Sequence, residues 1–76
     1  MAGRKARERE EHRRLILEAA EEVFAQKGYH NAAVQEIAER AEFSVGYLYN
    51  LFESKRDVFA QLVDLRAAEY LSLIHI

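Results

Sequence analysis

Ile16, Ala19, Ala20, Val23 and Phe24 follow one another at spacings of three, one, three and one. An α-helix turns once in about 3.6 residues, so these five side chains fall on one stripe. Arg13, Arg14, Glu18, Glu21 and Glu22 fall elsewhere on the same helix. A helix with one apolar stripe must bury it, so the remaining chain has to supply the cover. No stretch alternates apolar and polar residues as a half-buried strand would, and there is no proline. The cover is therefore more helix, and the chain reads as all-α.

Turn signals divide it into four helices. The first runs from about Glu11 to Lys27 and ends on Gly28 as a left-handed cap, with Tyr29 placed to fold back on it. The second spans about Ala33 to Ala41, with Asn31 as N-cap and Val34, Ile37, Ala38 and Ala41 as its apolar face. "EFS" breaks it, and Ser44 then caps a third helix over about Val45 to Leu51. "SKRD" puts Ser54 at the N-cap of the fourth, with Asp57 three residues on as a capping-box variant. Its apolar positions are Val58, Phe59, Leu62, Val63 and Leu65, continuing towards Tyr70, and nothing in "LSLIHI" stops it. Two short helices joined by a three- or four-residue turn and braced by longer ones form a three-helix bundle with a helix-turn-helix, followed by the start of a long connecting helix. An undecorated helical bundle has the same pattern, and periodicity alone favours that plainer reading.

A chain of 76 residues makes one small domain. It has no cysteine, hence no disulfide or thiolate metal site, and no apolar run long enough to span a membrane. The charged start lacks the apolar core of a signal peptide, so a soluble, cytoplasmic setting is expected. His12, His30 and His75 show no ligand spacing and read as surface residues, and no nucleophile has a base partner. No enzyme activity, metal or cofactor is expected. The net charge of −2 hides a division: residues 1–14 carry six basic and three acidic side chains, and the rest carries five basic and ten acidic. Residues 1–10 read as a basic, flexible arm, 11–53 as the helix-turn-helix domain and 54–76 as the start of the connecting helix.

The third helix separates the possibilities. With about 100° between residues, Val45, Leu48, Tyr49 and Phe52 share one arc, suited to packing on the first and fourth helices. Gly46, Tyr47 and Asn50 share the opposite arc, with Leu51 at its edge. That outward arc has no Lys or Glu to solvate it. A helix-interior glycine costs about 1 kcal/mol against alanine and is tolerable where something must approach the backbone. A helix fits the major groove of duplex DNA, where Asn50 offers the donor and acceptor that adenine needs. Tyr47 can meet a phosphate or a thymine methyl, and Lys55, in the first turn of the fourth helix, suits an anion in front of it. The plainer alternatives are a core Tyr49 with a wet hydroxyl, a solvated Asn50 and a solvated Lys55.

The stretch "ILEAAEEVFAQKGYHNAAVQEIAERAEFSVGYLYNLFESKRDVF" closely resembles the DNA-binding domain of the TetR family of bacterial transcriptional regulators. The "ILEAA…F…GY" helix and the "V..IA..A..S.G.LY..F.SK" run carry the resemblance, which extends over residues 13 to about 64. It implies that the second and third helices form the helix-turn-helix and that the third enters the major groove. Val45, Gly46, Tyr47 and Asn50 then form the reading face, with Ser44 opening the helix that carries them. Tyr49 matches a phosphate-contacting tyrosine at the helix edge, Lys55 a phosphate-binding lysine, and Ala33 a position that often bonds phosphate through Ser or Thr. Ala32 and Ala33 lack those hydroxyls, Glu42 stands where the turn often has glycine, and Leu51 replaces a common His or Tyr.

The partners so implied are a palindromic double-stranded DNA operator, a second copy of the chain in a homodimer, and a small-molecule inducer bound by a C-terminal domain outside this sequence. The expected role is a ligand-responsive repressor. The rival reading is a helical protein-interaction module that uses the Tyr47–Leu51 surface as a hydrophobic patch.

Overall fold

The computed structural model describes residues 3–74; residues 1–2 of the expected arm, and His75 and Ile76 of the "LSLIHI" tail, lie outside the described residues. Four helices follow in order: α1 (Arg4–Lys27), α2 (Val34–Ala41), α3 (Val45–Leu51) and α4 (Lys55–Ile74). No strand occurs among the described residues. The all-α expectation holds, with a helix-turn-helix formed by α2 and α3.

The stripe on α1 is the floor of the molecule. Ile16, Ala20 and Val23 are buried with Ile37 and Ala38 of α2, Leu48, Leu51 and Phe52 of the α3 segment, and Val58 and Leu62 of α4. Burying a side chain of the Val, Leu, Ile or Phe kind contributes about 1.5–3 kcal/mol, so the nine such positions of the core hold the four helices together. Of the apolar positions expected on α4 only Val58 and Leu62 are buried; Phe59 and Val63 are exposed, as is Tyr70 further on. Charges stitch the rims. Arg66 of α4 bonds Glu21 of α1 at 2.5 and 2.9 Å, and Glu69 accepts from Arg14 of α1 at 2.8 Å. Lys27 and Glu36 pair across α1 and α2, and Arg40 reaches Glu22 at 2.9 Å. Hydrogen bonding to Arg66 holds the Glu21 carboxyl below the usual carboxylate range and does the same for Glu69, which Arg14 also supports.

The ends of the helices differ from expectation in four places. The expected arm is helical from Arg4, because Ala, Arg and Glu are strong helix formers and need no core to continue α1. Gly28 has φ 80° and ψ 161°, a positive-φ conformation open to glycine but not the left-handed helical one; its N–H still closes on Phe24 O. Asn31 does not cap α2: its Nδ2 turns back to donate to Lys27 O at 3.2 Å. The N-cap is Ala33, whose amide donates to Glu36 Oε1 at 3.3 Å, the return half of a capping box. Ser44 and Ser54 cap as expected, Ser44 Oγ accepting from Tyr47 N at 3.0 Å and Ser54 Oγ from Asp57 N at 3.1 Å. Asp57 reaches back one residue further than in the usual box, to Glu53 N at 2.9 Å.

Candidate nucleic-acid interface

The turn between α2 and α3 is built on Glu42. Its φ of 64° and ψ of 38° are left-handed, the one positive φ at a non-glycine position among the described residues. That conformation lets Phe43 N–H reach back to Ala38 O at 2.9 Å, the six-to-one bond of a Schellman ending. The chain leaves in an extended direction, and Ser44 starts α3 two residues later.

Leu48, Leu51 and Phe52 set the roll of α3. All three are buried, which centres the hidden arc between Leu48 and Leu51 rather than near Val45. Three expectations change with it. Leu51, placed at the edge of the open arc, is core. Tyr49, assigned to the packing arc, is 49% exposed. Tyr47, assigned to the open face, is half-buried: its hydroxyl lies 2.8 Å from His12 Nδ1, and its ring packs 5.3 Å from that of Phe43. His12, read as a surface residue, is thus half-buried between Phe43 and Tyr47. The hydrophobic patch required by the protein-interaction reading loses Leu51 altogether and half of Tyr47.

What remains open on α3 is a band of Gly46, Tyr49 and Asn50. Asn50 is exposed and makes no side-chain hydrogen bond among the described residues. A Cβ added at Gly46 would meet only Ser44 Oγ, at 4.0 Å, so nothing inside the fold requires glycine there. Val45 is half-buried at the first turn of α3, and Ser44 is exposed beside it. Ala33 is exposed at the start of α2. Ala33, Ser44, Gly46, Tyr49 and Asn50 are therefore exposed on the helix-turn-helix, as are Gln35, Glu39, Arg40 and Glu42.

Lys55 is differently engaged. Its ammonium donates to Tyr29 O at 2.8 Å, Ala32 O at 3.1 Å and His30 O at 3.5 Å, and lies 4.5 Å from the centre of the Tyr29 ring. The cation at the start of α4 thus satisfies carbonyls of the α1–α2 turn, which fixes the segment leading into α2. Arg13 plays a matching part at the other end of α3. Its Nη1 donates to Leu51 O and to Gln61 Oε1, each at 3.1 Å, and the guanidinium lies 5.5 Å from the Phe52 ring. Sequence reasoning missed both His12 and Arg13. Their signal was spacing: each stands four residues before a buried apolar residue of α1, Ile16 or Leu17.

No group of His, Cys, Asp and Glu among the described residues could hold a metal ion, and no helix among them is long and apolar enough to cross a membrane.

Residues 16–62 match the sequence profile described as "Bacterial regulatory proteins, tetR family". The chain is 47% identical over 51 residues to the HTH-type transcriptional activator FasR of Mycolicibacterium smegmatis, covering 67% of this chain and 23% of that protein. It is 41% identical over 54 residues to the HTH-type transcriptional regulator YuxN of Bacillus subtilis, covering 71% of this chain and 19% of that one. It is 39% identical over 51 residues to the HTH-type transcriptional repressor DhaR of a Mycobacterium species, covering 67% and 26%. The chain thus spans about a quarter of the length of these relatives or less. No solved structure matches it significantly. With the buried stripe, the Schellman turn and the short capped α3 all inside the matched segment, the chain belongs to the TetR family of bacterial regulatory proteins, and α2 and α3 are its helix-turn-helix.

Proposed function

We propose that this domain binds double-stranded DNA by seating α3 in the major groove. The observation that carries the reading is the unpacked Gly46–Tyr49–Asn50 band, free of the charged side chains that normally solvate a surface helix. Gly46 lets the helix backbone approach the base edges, Asn50 pairs with an adenine through its donor and acceptor, and the Tyr49 hydroxyl meets a flanking phosphate. Ser44 and Val45 sit where α3 enters the groove, and the start of α2 at Ala33 faces a neighbouring phosphate without a hydroxyl to bind it. Tyr47 and Lys55 border this surface. A phosphate contact by Lys55 requires its ammonium to give up at least one of the carbonyls it now holds.

In the longer regulator, we propose that this domain acts in the cytoplasm as one half of a homodimer on a palindromic operator, its two recognition helices about one helical turn apart. A small-molecule inducer binds outside residues 1–76. Occupying a duplex excludes other proteins from it, so repression is the regulatory output proposed. One relative is named an activator and another a repressor, and a promoter fusion decides between them for this protein.

The test is a salt titration of duplex binding alongside Asn50→Ala. Affinity falls steeply with salt, because cations released from phosphates drive binding, and Asn50→Ala relaxes preference at one base pair by about 1–3 kcal/mol. Sequence preference unchanged by Asn50→Ala removes Asn50 from the reading. Binding to duplex DNA that ignores salt, or no binding, removes the proposal.

A further inference from the structure

The last carbonyl of α3 is tied to two other helices through one nitrogen. Leu51 O accepts from Arg13 Nη1 at 3.1 Å, and the same Nη1 donates to Gln61 Oε1 of α4, also at 3.1 Å. Gln61 is fixed in turn: its Nε2 lies 3.2 Å from each carboxylate oxygen of Asp57. Asp57 Oδ2 accepts from Glu53 N at 2.9 Å, in the link between α3 and α4. A polar chain therefore leaves α3 at Leu51, passes through α1 and α4, and returns to the backbone two residues further on.

Two features set Arg13 apart from a general-purpose surface cation. Its Nε is buried and makes no hydrogen bond among the described residues, although a Glu10 carboxylate oxygen stands 3.5 Å away. An unsatisfied buried donor is costly, so the side chain gives up a bond at Nε while keeping both at Nη1. Its target is also specific. The last carbonyls of a helix have no partner within it, and a cation there meets the negative end of the helix dipole. Beside Arg13, His12 meets Tyr47 one turn earlier on α3, so consecutive residues of α1 grip the short helix at two points. Asn50, exposed and unbonded, directly precedes the clamped Leu51.

We infer that Arg13 and Gln61 are positioning residues for base recognition: by clamping Leu51 O to α4, they fix the angle at which α3 presents Asn50 to a base pair. The inference rests on the DNA-binding reading above. Neither residue is assigned a contact with the duplex; both act through Leu51. A hydrogen bond of 3.1 Å is lost beyond about 3.5 Å, so the clamp holds Leu51 O to within a few tenths of an ångström. Asn50 moves with it, and its paired bonds to an adenine have the same tolerance.

The experiment starts from a duplex that the chain of 76 residues selects out of a random-sequence pool. Each protein is titrated onto that duplex and onto a shuffled one, at a temperature where circular dichroism shows it folded. The readout is the ratio of the two affinities. Gln61→Met is expected to lower the ratio by about tenfold, the scale of one paired base contact. Its affinity for the shuffled duplex and the salt dependence stay parental, because no phosphate contact is lost. Arg13→Met lowers the ratio at least as far, and Arg13→Met/Gln61→Met goes no further than Arg13→Met, since both side chains act through one bridge. Arg66→Gln breaks the bonds from α4 to Glu21 of α1 without touching α3, and keeps the parental ratio. Equal losses in Gln61→Met and Arg66→Gln overturn the inference, because α1–α4 docking in general then accounts for them. That comparison decides even if Arg13→Met fails to fold. Additive losses in the double variant also overturn it. A ratio lowered by Asn50→Ala but untouched by Gln61→Met overturns the inference and leaves the α3 reading standing. A parent that selects no duplex removes both.

Discussion

Tyr47 Oη lies 2.8 Å from Nδ1 of His12, a residue 35 positions earlier in the chain. The bond joins the third residue of the recognition helix to α1, and Phe43 closes the cluster from the turn. Tyr47→Phe deletes the bond while keeping the ring. A net loss of about 1 kcal/mol in unfolding free energy is expected, since a typical protein hydrogen bond contributes about that. Chemical denaturation measures it. If Tyr47 bound DNA through its hydroxyl instead, stability would hold and affinity alone would fall.

Lys55→Met separates two roles for one ammonium. Bonded to three carbonyls of the α1–α2 turn, it ties together backbone groups of which Tyr29 O also accepts from Ala32 N. Hydrogen bonds to charged groups contribute about 1.5–3 kcal/mol, so Lys55→Met is expected to destabilise the domain by about 2 kcal/mol without any DNA present. Unchanged thermal stability with weakened DNA binding would assign Lys55 to phosphate alone.

Glu42→Gly is expected to stabilise. A left-handed conformation costs an L-residue about 1–2 kcal/mol, whereas glycine adopts it freely at an entropic cost of about 0.5–1 kcal/mol. The net gain is about 0.5–1 kcal/mol, read as a rise in the denaturation midpoint at unchanged slope. A loss of stability would mean that the Glu42 side chain makes a compensating interaction.

Acid should loosen the α1–α4 rim. Hydrogen bonds from Arg66 depress the Glu21 and Glu69 carboxyls below their ordinary value of 4.5. A depressed carboxyl contributes stability above its unfolded pKa and loses it as pH falls through the lower folded value. The expected profile loses this contribution below pH 4.5 rather than near neutrality. Glu21→Gln should shrink that acid limb, and added salt should shrink it further, because both partners are solvent-exposed. Thermal melts across pH measure both effects.

The helices and their order were legible in the sequence because α1 and α2 each bury one stripe at a 3.6-residue period, and because Ser44 and Ser54 are strong local caps. The roll of α3 was only partly legible. A seven-residue helix offers two turns, and choosing between Tyr49 and Leu51 as the buried partner of Leu48 depends on where α1 and α4 lie. Leucine in the pocket buries no hydroxyl, whereas tyrosine there would need a partner for one, so the structure hides Leu51 and exposes Tyr49. The partners of Lys55 and Arg13 were out of reach for a different reason. Both bond backbone carbonyls, Tyr29 O and Leu51 O among them, and a carbonyl leaves no mark in a sequence.

The empty flank at Gly46 has a thermodynamic corollary. With only Ser44 Oγ at 4.0 Å from a would-be methyl, alanine fits the isolated fold and should make it firmer by about 1 kcal/mol. With α3 seated in the major groove as proposed, the same methyl would stand between the helix and a base pair. Robustness and recognition thus pull in opposite directions at one atom, and a chain selected for durability alone would drift away from glycine there.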